Sequence, residues 1–131
     1  MQTMFWRNCL AATSLVLLGA ALIAPHAANA AGKYDGDWAG VPAIQANSNP
    51  DCPRWPGFRL HIMDDKFNQE VGRAQMQSPV AADGSFSTSG SYALRGQGMQ
   101  RTDFAGRIAG DQLNAVYHTK YCTYNMALRR R

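Results

Sequence analysis

Apolar and polar residues alternate along most of the chain after residue 32, with the two-residue period of strands that bury one face. Phe58, Leu60 and Ile62, for example, alternate with the polar Arg59 and His61, and the 3.6-residue period of an amphipathic helix is nearly absent. The pattern therefore predicts an all-β fold. Its strand segments are residues 33–41, 58–63, 67–77, 85–94, 101–108, 112–118 and 122–129.

Short turn signals separate these segments. Asp83-Gly84 and Gly110-Asp111 each stand between two strand patterns, as in tight hairpins. Gly72 indicates a bulge or bend within the segment 67–77, which we expect to pair with the strand at 58–63. Because consecutive strands are joined locally, we expect a small antiparallel meander of seven or eight strands, built as a closed barrel or as a sandwich.

Two places interrupt the regular pattern. Residues 43–57 contain Pro50, Pro53 and Pro56 and are predicted to form a long irregular loop. The inward residues of the strand at 112–118 have odd numbers, whereas those of the strand at 122–129 have even numbers. A bulge or tight turn must therefore shift the register by one residue near Thr119-Lys120.

The first 30 residues form a separate segment with the features of a secretory signal peptide. Arg7 is its only charged residue, residues 9–24 are apolar or small, and Ala28-Asn29-Ala30 matches the A-x-A pattern of a signal-peptidase site. An uncleaved membrane anchor is the alternative, but the apolar stretch is shorter than the roughly 20 residues that span a bilayer. We expect cleavage after Ala30 and a periplasmic or secreted protein.

Residues 31–131 suit one small β domain. They carry 12 Lys and Arg against 9 Asp and Glu, a balance that does not favour nucleic acid as a partner. Leu, Ile, Val and Phe supply only 15 of these 101 residues, so the core is thin for a chain of this length. Without the leader, no segment is apolar and long enough to anchor the domain stably in a membrane.

Cys52 and Cys122 are the only cysteines after the predicted leader, and an oxidising compartment favours a disulfide between them. On the chain-entropy model, closing a loop of this size stabilises the fold by about 4 kcal/mol. The alternative is a pair of metal ligands or redox thiols. No C-x-x-C motif or nearby His cluster supports that alternative, and the sequence predicts neither a metal site nor a cofactor.

The sequence predicts no catalytic residue. His61 falls on the outward face of its strand, and no G-x-S-x-G motif supplies a nucleophilic serine. Glu70 is the only glutamate, which leaves little for two-carboxylate chemistry. His118, between Tyr117 and the nearby Tyr121, is the one place where a binding pocket or an enzymatic site remains possible.

Trp55 is the strongest candidate for a binding residue. Prolines stiffen its loop and Cys52 tethers it, so the ring could contact a sugar ring, an apolar group or a partner protein. Alternatively, Trp55 folds back as a lid over one open end of the sheet. Arg54 and Arg59 nearby could accompany an anionic partner. The run Arg129-Arg130-Arg131 is predicted as a solvated tail or, alternatively, as a contact for an acidic surface.

Four segments of the chain form a familiar combination. They are Y-D-G-D-W-A-G at 34–40, D-G-S-F-S at 83–87, G-R-I-A-G-D-Q-L-N-A at 106–115 and Y-C-T-Y-N-M-A-L-R-R at 121–130. Together they resemble a group of small, uncharacterised secreted or periplasmic proteins of proteobacteria that form a β-meander with one disulfide. The resemblance implies the fold and the cystine but no catalytic residues. In outline the chain is also similar to small periplasmic β-barrel lysozyme inhibitors.

Three functional hypotheses follow. The first is a non-enzymatic periplasmic or secreted binding module for a protein, a small molecule or a glycan. The second is a protein inhibitor that presents the Trp55 loop to a secreted or periplasmic enzyme. The third is an enzyme centred on His118, with Tyr117 and Tyr121. The sequence indicates neither the ligand nor the oligomeric state.

Overall fold

The computed structural model describes residues 31–46 and 48–131, and the predicted leader lies outside these residues. Each described segment with regular structure is a strand, so the all-β prediction is confirmed. The part of the chain that the structure describes contains no helix that is long and apolar enough to cross a membrane. The strands are β1 (Gly36–Gly40), β2 (Ala43–Ile44), β3 (Phe58–Ile62), β4 (Lys66–Val71), β5 (Ala74–Pro79), β6 (Ser85–Leu94), β7 (Gly98–Ala109), β8 (Gln112–His118) and β9 (Thr123–Arg130).

Seven of these strands form one curled antiparallel sheet. Its order is β3-β1-β9-β8-β7-β6, with the short β2 paired to β9. The hairpins β6–β7, β7–β8 and β8–β9 follow one another along the chain, as expected for a meander. The sheet makes a half-barrel because its first strand, β1, pairs with both β3 and the last strand, β9.

The hairpin β4–β5 forms the second sheet and fills the gap between the edge strands β3 and β6. Side chains replace part of the missing backbone ladder. The Gln69 side chain accepts a hydrogen bond from the His61 N–H at 2.8 Å and donates one to the Arg59 carbonyl at 2.9 Å. The Thr88 hydroxyl donates to the Gln77 carbonyl at 2.8 Å. The two sheets therefore enclose a single core although no ladder joins them.

The expectation for residues 67–77 is wrong in two respects. They form two strands instead of one, because the chain turns at Gly72, whose φ is +65°. The partner of β3 is β1, in the register Trp38↔Leu60. No backbone ladder joins β3 to β4 in the described residues, and their pairing is limited to the isolated bridge between Met63 and Lys66. This division, together with β2 inside the predicted loop at 43–57, raises the strand number from seven or eight to nine.

The core lies inside the curled sheet and is rich in aromatic side chains. Phe67, Phe86 and Phe104 pack edge to face or tilted, with ring centroids 5.2 to 5.9 Å apart, which is a favourable aromatic geometry. These rings help a chain that is poor in aliphatic residues to fill its interior. The other large, fully buried side chains are Trp38, Tyr124, Leu60, Ile62, Met76, Leu113, Met126, Leu128 and Val71.

The disulfide between Cys52 and Cys122 is present, with the two Cα atoms 5.8 Å apart. It ties the segment after β2 to the connection between β8 and β9. That connection is a tight turn, in which the Thr119 N–H donates to the Cys122 carbonyl at 2.8 Å. The predicted register shift occurs there, since the odd-numbered Tyr117 faces the even-numbered Tyr124 across the ladder.

One end of the barrel, far from the disulfide, is closed by polar groups that satisfy one another. The Tyr34 hydroxyl donates to the Ala82 carbonyl at 2.7 Å, and the Trp38 indole N–H donates to the Tyr34 carbonyl at 3.0 Å. Asp65 accepts from the Tyr34 N–H at 2.7 Å, while Asp35 accepts from the Asp65 N–H at 2.8 Å. We call this region the closed end.

The basic run at the end of the sequence belongs to the closed end and is not a solvated tail. Strand β9 reaches Arg130, whose guanidinium carbon lies 4.6 Å from the centroid of the Trp38 ring. The same guanidinium donates to the Lys33 carbonyl at 3.2 Å. The Arg131 N–H donates to the Asp37 carbonyl at 2.8 Å. The expectation of a free tail is wrong because the ladder with β1 continues through these residues.

Candidate functional site

The opposite end of the barrel is open and contains an aromatic pocket of about 450 Å³. This volume lies within the range of sites that hold small molecules. We call it the mouth pocket. Its walls come from the segment 52–58, the β4–β5 turn, and the ends of β6, β8 and β9. The residues that line it are Pro53, Trp55, Phe58, Glu70, Gly72, Arg73, Tyr92, Tyr117, Thr119, Cys122 and Tyr124.

Trp55 forms one wall of the mouth pocket and is half-buried. Its ring centroid lies 5.0 Å from that of Tyr124, 5.3 Å from Tyr117 and 5.9 Å from Phe58. The loop is fixed by the disulfide and by the Tyr124 hydroxyl, which donates to the Pro53 carbonyl at 2.7 Å. Trp55 thus folds back over the open end of the barrel. It lines one side of the pocket and does not close it.

Tyr117 brings a phenol to the mouth pocket although its side chain is only 2% exposed. Burial raises the pKa of its hydroxyl, against a smaller opposing effect of the Thr102 hydroxyl nearby. Among the described residues, the fully buried Thr102 hydroxyl has no hydrogen-bond partner other than the adjacent Tyr117 hydroxyl. Tyr117 lines the pocket and Thr102 lies behind it, so the Tyr117 hydroxyl is the one that a ligand in the pocket can reach.

Tyr124 and Tyr92 complete the phenolic lining. Burial raises the pKa of Tyr124, and Trp55 opposes that effect to a smaller extent. Tyr92 is half-buried near the end of β6 and, with Tyr124, contributes to the raised pKa of Tyr117. The phenols of Tyr117 and Tyr124 thus stay uncharged at neutral pH. Tyr124 already donates its hydrogen to the Pro53 carbonyl, so of these two phenols Tyr117 is the donor that a ligand can use.

The rim of the mouth pocket carries one charge of each sign. Glu70 lies near the end of β4 and Arg73 in the turn that follows it, and both side chains are exposed. Within the described residues neither side chain forms an ion pair. Arg73 is close enough to Tyr117 to lower the pKa of the phenol slightly. The rim therefore offers a carboxylate acceptor and a guanidinium donor without net charge.

The structure places only two of the predicted candidates in the mouth pocket, namely Trp55 and Tyr117. Arg54 is exposed on the same loop but lies outside the pocket, and Arg59 points outward from β3. His118 is exposed, with Nδ1 2.7 Å from the Thr123 hydroxyl oxygen. Tyr121 is 48% exposed, and its hydroxyl donates to the Gln97 side chain at 3.3 Å. His118 and Tyr121 therefore do not join Tyr117 in one site.

The other residues of the mouth pocket were not identified as candidates from the sequence. Tyr92 and Tyr124 have the parity of inward residues near strand ends, so their position in a barrel mouth could have been inferred from periodicity. Glu70, Gly72 and Arg73 come together only because the chain reverses at Gly72, where the sequence pattern predicted a bulge or bend within one strand. These three residues were therefore missed because the sequence pattern did not indicate the hairpin β4–β5.

The chemistry of the mouth pocket suits recognition. Its lining offers aromatic faces, phenols, one carboxylate and one guanidinium, while Cys122 is held in the disulfide. In the described parts of the chain, no group of three or more His, Cys, Asp or Glu residues could hold a metal ion. His61, outside the pocket, contacts Asp37 through Nδ1 at 2.8 Å on the exposed face of the sheet.

Comparisons with models of protein families, with curated proteins and with solved structures give no match to this chain. The resemblance to small secreted proteobacterial proteins therefore stays a prediction. The case for a function depends on the geometry of the mouth pocket.

Proposed function

We propose that the protein is a non-enzymatic binding module that holds a small, ring-containing ligand in the mouth pocket. The observation that carries this proposal is the convergence of Trp55, Phe58, Tyr92, Tyr117 and Tyr124 on one open cavity. Aromatic walls with a few polar groups are typical of small-molecule sites. A largely preformed wall also reduces the entropy that is lost when a ligand binds.

The proposed place of action is the periplasm or the exterior of the cell. The disulfide is compatible with an oxidising compartment. The leader features of residues 1–30 support the same location. In such a compartment the cystine holds the Trp55 loop against the barrel, so the walls of the pocket keep their positions.

An inhibitor that acts through the Trp55 loop is the competing proposal. Arg54 and Pro56 are exposed on this loop, so a partner protein could contact its outer surface. The indole of Trp55, in contrast, packs against Tyr117 and Tyr124. Protein inhibition therefore predicts a larger effect of Arg54→Ala, whereas a small-molecule pocket predicts a larger effect of Trp55→Ala.

Titration with the uncharged apolar dye N-phenyl-1-naphthylamine tests the proposed function. We expect dye fluorescence to rise on binding to the purified protein, and Trp55→Ala to weaken binding about tenfold or more, as the loss of a buried aromatic contact does. Tyr121→Ala, which removes an aromatic residue outside the pocket, is the matched control and should leave binding unchanged.

Two outcomes would contradict the proposal. The first is no dye binding to a protein whose folding is confirmed by circular dichroism. The second is dye binding that Trp55→Ala leaves unaltered. Capture of a periplasmic enzyme that depends on Arg54 but not on Trp55 would favour the inhibitor instead.

A further inference from the structure

Two adjacent hydroxyl groups, those of Tyr117 on β8 and Thr102 on β7, lie at and directly behind the wall of the mouth pocket. Thr102 is completely buried, and its Oγ1 has no hydrogen-bond partner among the described residues other than the neighbouring Tyr117. Tyr117 belongs to the lining of the pocket. A buried hydroxyl that is poorly partnered destabilises a fold, so such groups are uncommon where they serve structure alone. The Tyr117 hydroxyl is therefore suited to meet a polar group of a ligand.

Gly72 creates the space for the Tyr117 hydroxyl. A Cβ atom at position 72 would collide with this hydroxyl, and the φ of +65° also favours glycine. The β4–β5 turn can therefore pass directly over the phenol. As a result, the Tyr117 hydroxyl lies at the pocket wall beside Arg73 and is not covered by a side chain at position 72.

Polar groups and aromatic faces are mixed in the mouth pocket. Trp55 and Tyr124 offer ring faces, while Glu70 offers only hydrogen-bond acceptors and Arg73 only donors. The single Glu and single Arg leave the lining without net charge. A ligand that satisfies all of these groups needs apolar ring surface together with several groups that can both donate and accept.

From this combination we infer that the ligand is an uncharged saccharide. The C–H faces of a sugar ring pack on aromatic side chains, and its hydroxyl groups both donate and accept hydrogen bonds. One sugar hydroxyl meets the Tyr117 hydroxyl, and others meet Glu70 and Arg73 at the rim. This inference rests on the proposed function, since it names the ligand class of the same pocket.

Isothermal titration with maltose, cellobiose and N,N′-diacetylchitobiose tests the inference. We expect at least one of these disaccharides to bind, and Tyr117→Phe to weaken its binding about three- to tenfold through loss of one hydrogen bond. N-phenyl-1-naphthylamine has no hydroxyl groups, so its affinity should be unchanged in this variant. Tyr121→Phe removes a hydroxyl outside the pocket and is the matched control.

A structural role for the Tyr117 hydroxyl predicts a different pattern. If the hydroxyl only supported the fold, Tyr117→Phe would lower the urea midpoint of unfolding and weaken dye and saccharide binding together. We expect a nearly unchanged midpoint, because the only hydrogen-bonding neighbour of this hydroxyl among the described residues is Thr102. Thr102→Val is a nearly isosteric variant behind the pocket wall. It should also leave the midpoint nearly unchanged, and it should affect saccharide binding less than Tyr117→Phe does.

Each outcome separates the inference from the proposed function. Dye binding that depends on Trp55, without binding of any of the three disaccharides, overturns the saccharide inference and leaves the binding function intact. Absence of both dye and disaccharide binding overturns both. Disaccharide binding that Tyr117→Phe does not weaken overturns the role of the paired hydroxyls.

Discussion

The two tryptophans of the domain have opposite surroundings at opposite ends of the barrel. Trp38 is 0% exposed, donates its indole N–H to the Tyr34 carbonyl and is covered by the Arg130 guanidinium. Trp55 is half-buried and packs only on one side, against aromatic rings of the mouth pocket. The same residue type therefore completes the core at one end and leaves a cavity at the other.

The polar groups of the two ends differ in the same way. At the closed end, the phenol of Tyr34 and the carboxylates of Asp35 and Asp65 all have hydrogen-bond partners within the protein. At the mouth pocket, the hydroxyls of Tyr117 and Thr102 have only each other as hydrogen-bonding neighbours in the described part of the chain. The Arg130 Nε at the closed end also lacks a hydrogen bond, but it lies 3.6 Å from the Asp111 carboxylate. The difference between the hydroxyl groups of the two ends supports the proposal that the mouth pocket binds a ligand.

Alanine substitution of each tryptophan is the strongest test of this contrast. We expect Trp38→Ala to lower the free energy of unfolding by about 3–5 kcal/mol, the range for a fully buried aromatic side chain. Trp55→Ala should cost only about 1–2 kcal/mol because the ring is half-exposed and already borders a cavity. Urea unfolding followed by circular dichroism measures both values. Equal losses would show that Trp55 is as much a part of the core as Trp38.

Removing the disulfide should damage the open end more than the closed end. We expect Cys52→Ser with Cys122→Ser to lower the free energy of unfolding by about 2–5 kcal/mol. The remaining folded protein should bind N-phenyl-1-naphthylamine weakly, because the Trp55 loop loses its covalent tether. Backbone amide hydrogen exchange locates the effect.

In that exchange experiment, faster exchange near residues 49–57 and 119–123, with protected amides in β1 and β3, is the expected pattern. Slow exchange throughout, with unchanged dye affinity, would show that hydrogen bonds such as Tyr124–Pro53 and Asn49–Tyr121 hold the loop without the disulfide. Wild-type protein treated with reductant provides a control without substitutions.

The all-β architecture and the disulfide could be predicted from the sequence, because each depends on local or pairwise information. Alternation of buried and exposed positions specifies which residues of a strand face inward, as in β8 and β9. With two cysteines after the predicted leader, only one pairing exists. The odd-to-even change between Tyr117 and Tyr124 even located the turn between the last two strands.

The mouth pocket could be predicted only in part, because it depends on which strands meet. The pairing of β3 with β1, and the hairpin at Gly72, are non-local choices that periodicity does not encode. Trp55 was identified from its stiff, tethered loop and Tyr117 from its neighbours. Glu70 and Arg73 could not be assigned to the same site until the hairpin β4–β5 was placed over the open end.

The smallest effect that distinguishes the two ends is the pH dependence of stability. At the closed end, Asp83 accepts hydrogen bonds from the Ser85 hydroxyl at 2.6 Å, the Ser85 N–H and the Arg107 guanidinium, which lower its pKa to about 2. A carboxyl whose pKa is lower in the folded state stabilises the fold above the ordinary value of 3.8. That contribution is lost as the pH falls from about 4 towards 2.

At the mouth pocket, the free energy of unfolding depends on pH in the opposite direction. Burial raises the pKa values of Tyr117 and Tyr124 above 10.0. Their contribution to the free energy of unfolding is therefore complete below pH 10 and is lost as the pH rises further. We expect Asp83→Asn to weaken the acid-side loss of stability and Tyr117→Phe to weaken the alkaline-side loss, in urea midpoints measured from pH 2 to pH 11. Each variant is the control for the other. An Asp83→Asn protein that changed the alkaline side as much as the acid side would show that the two ends are coupled and not independent.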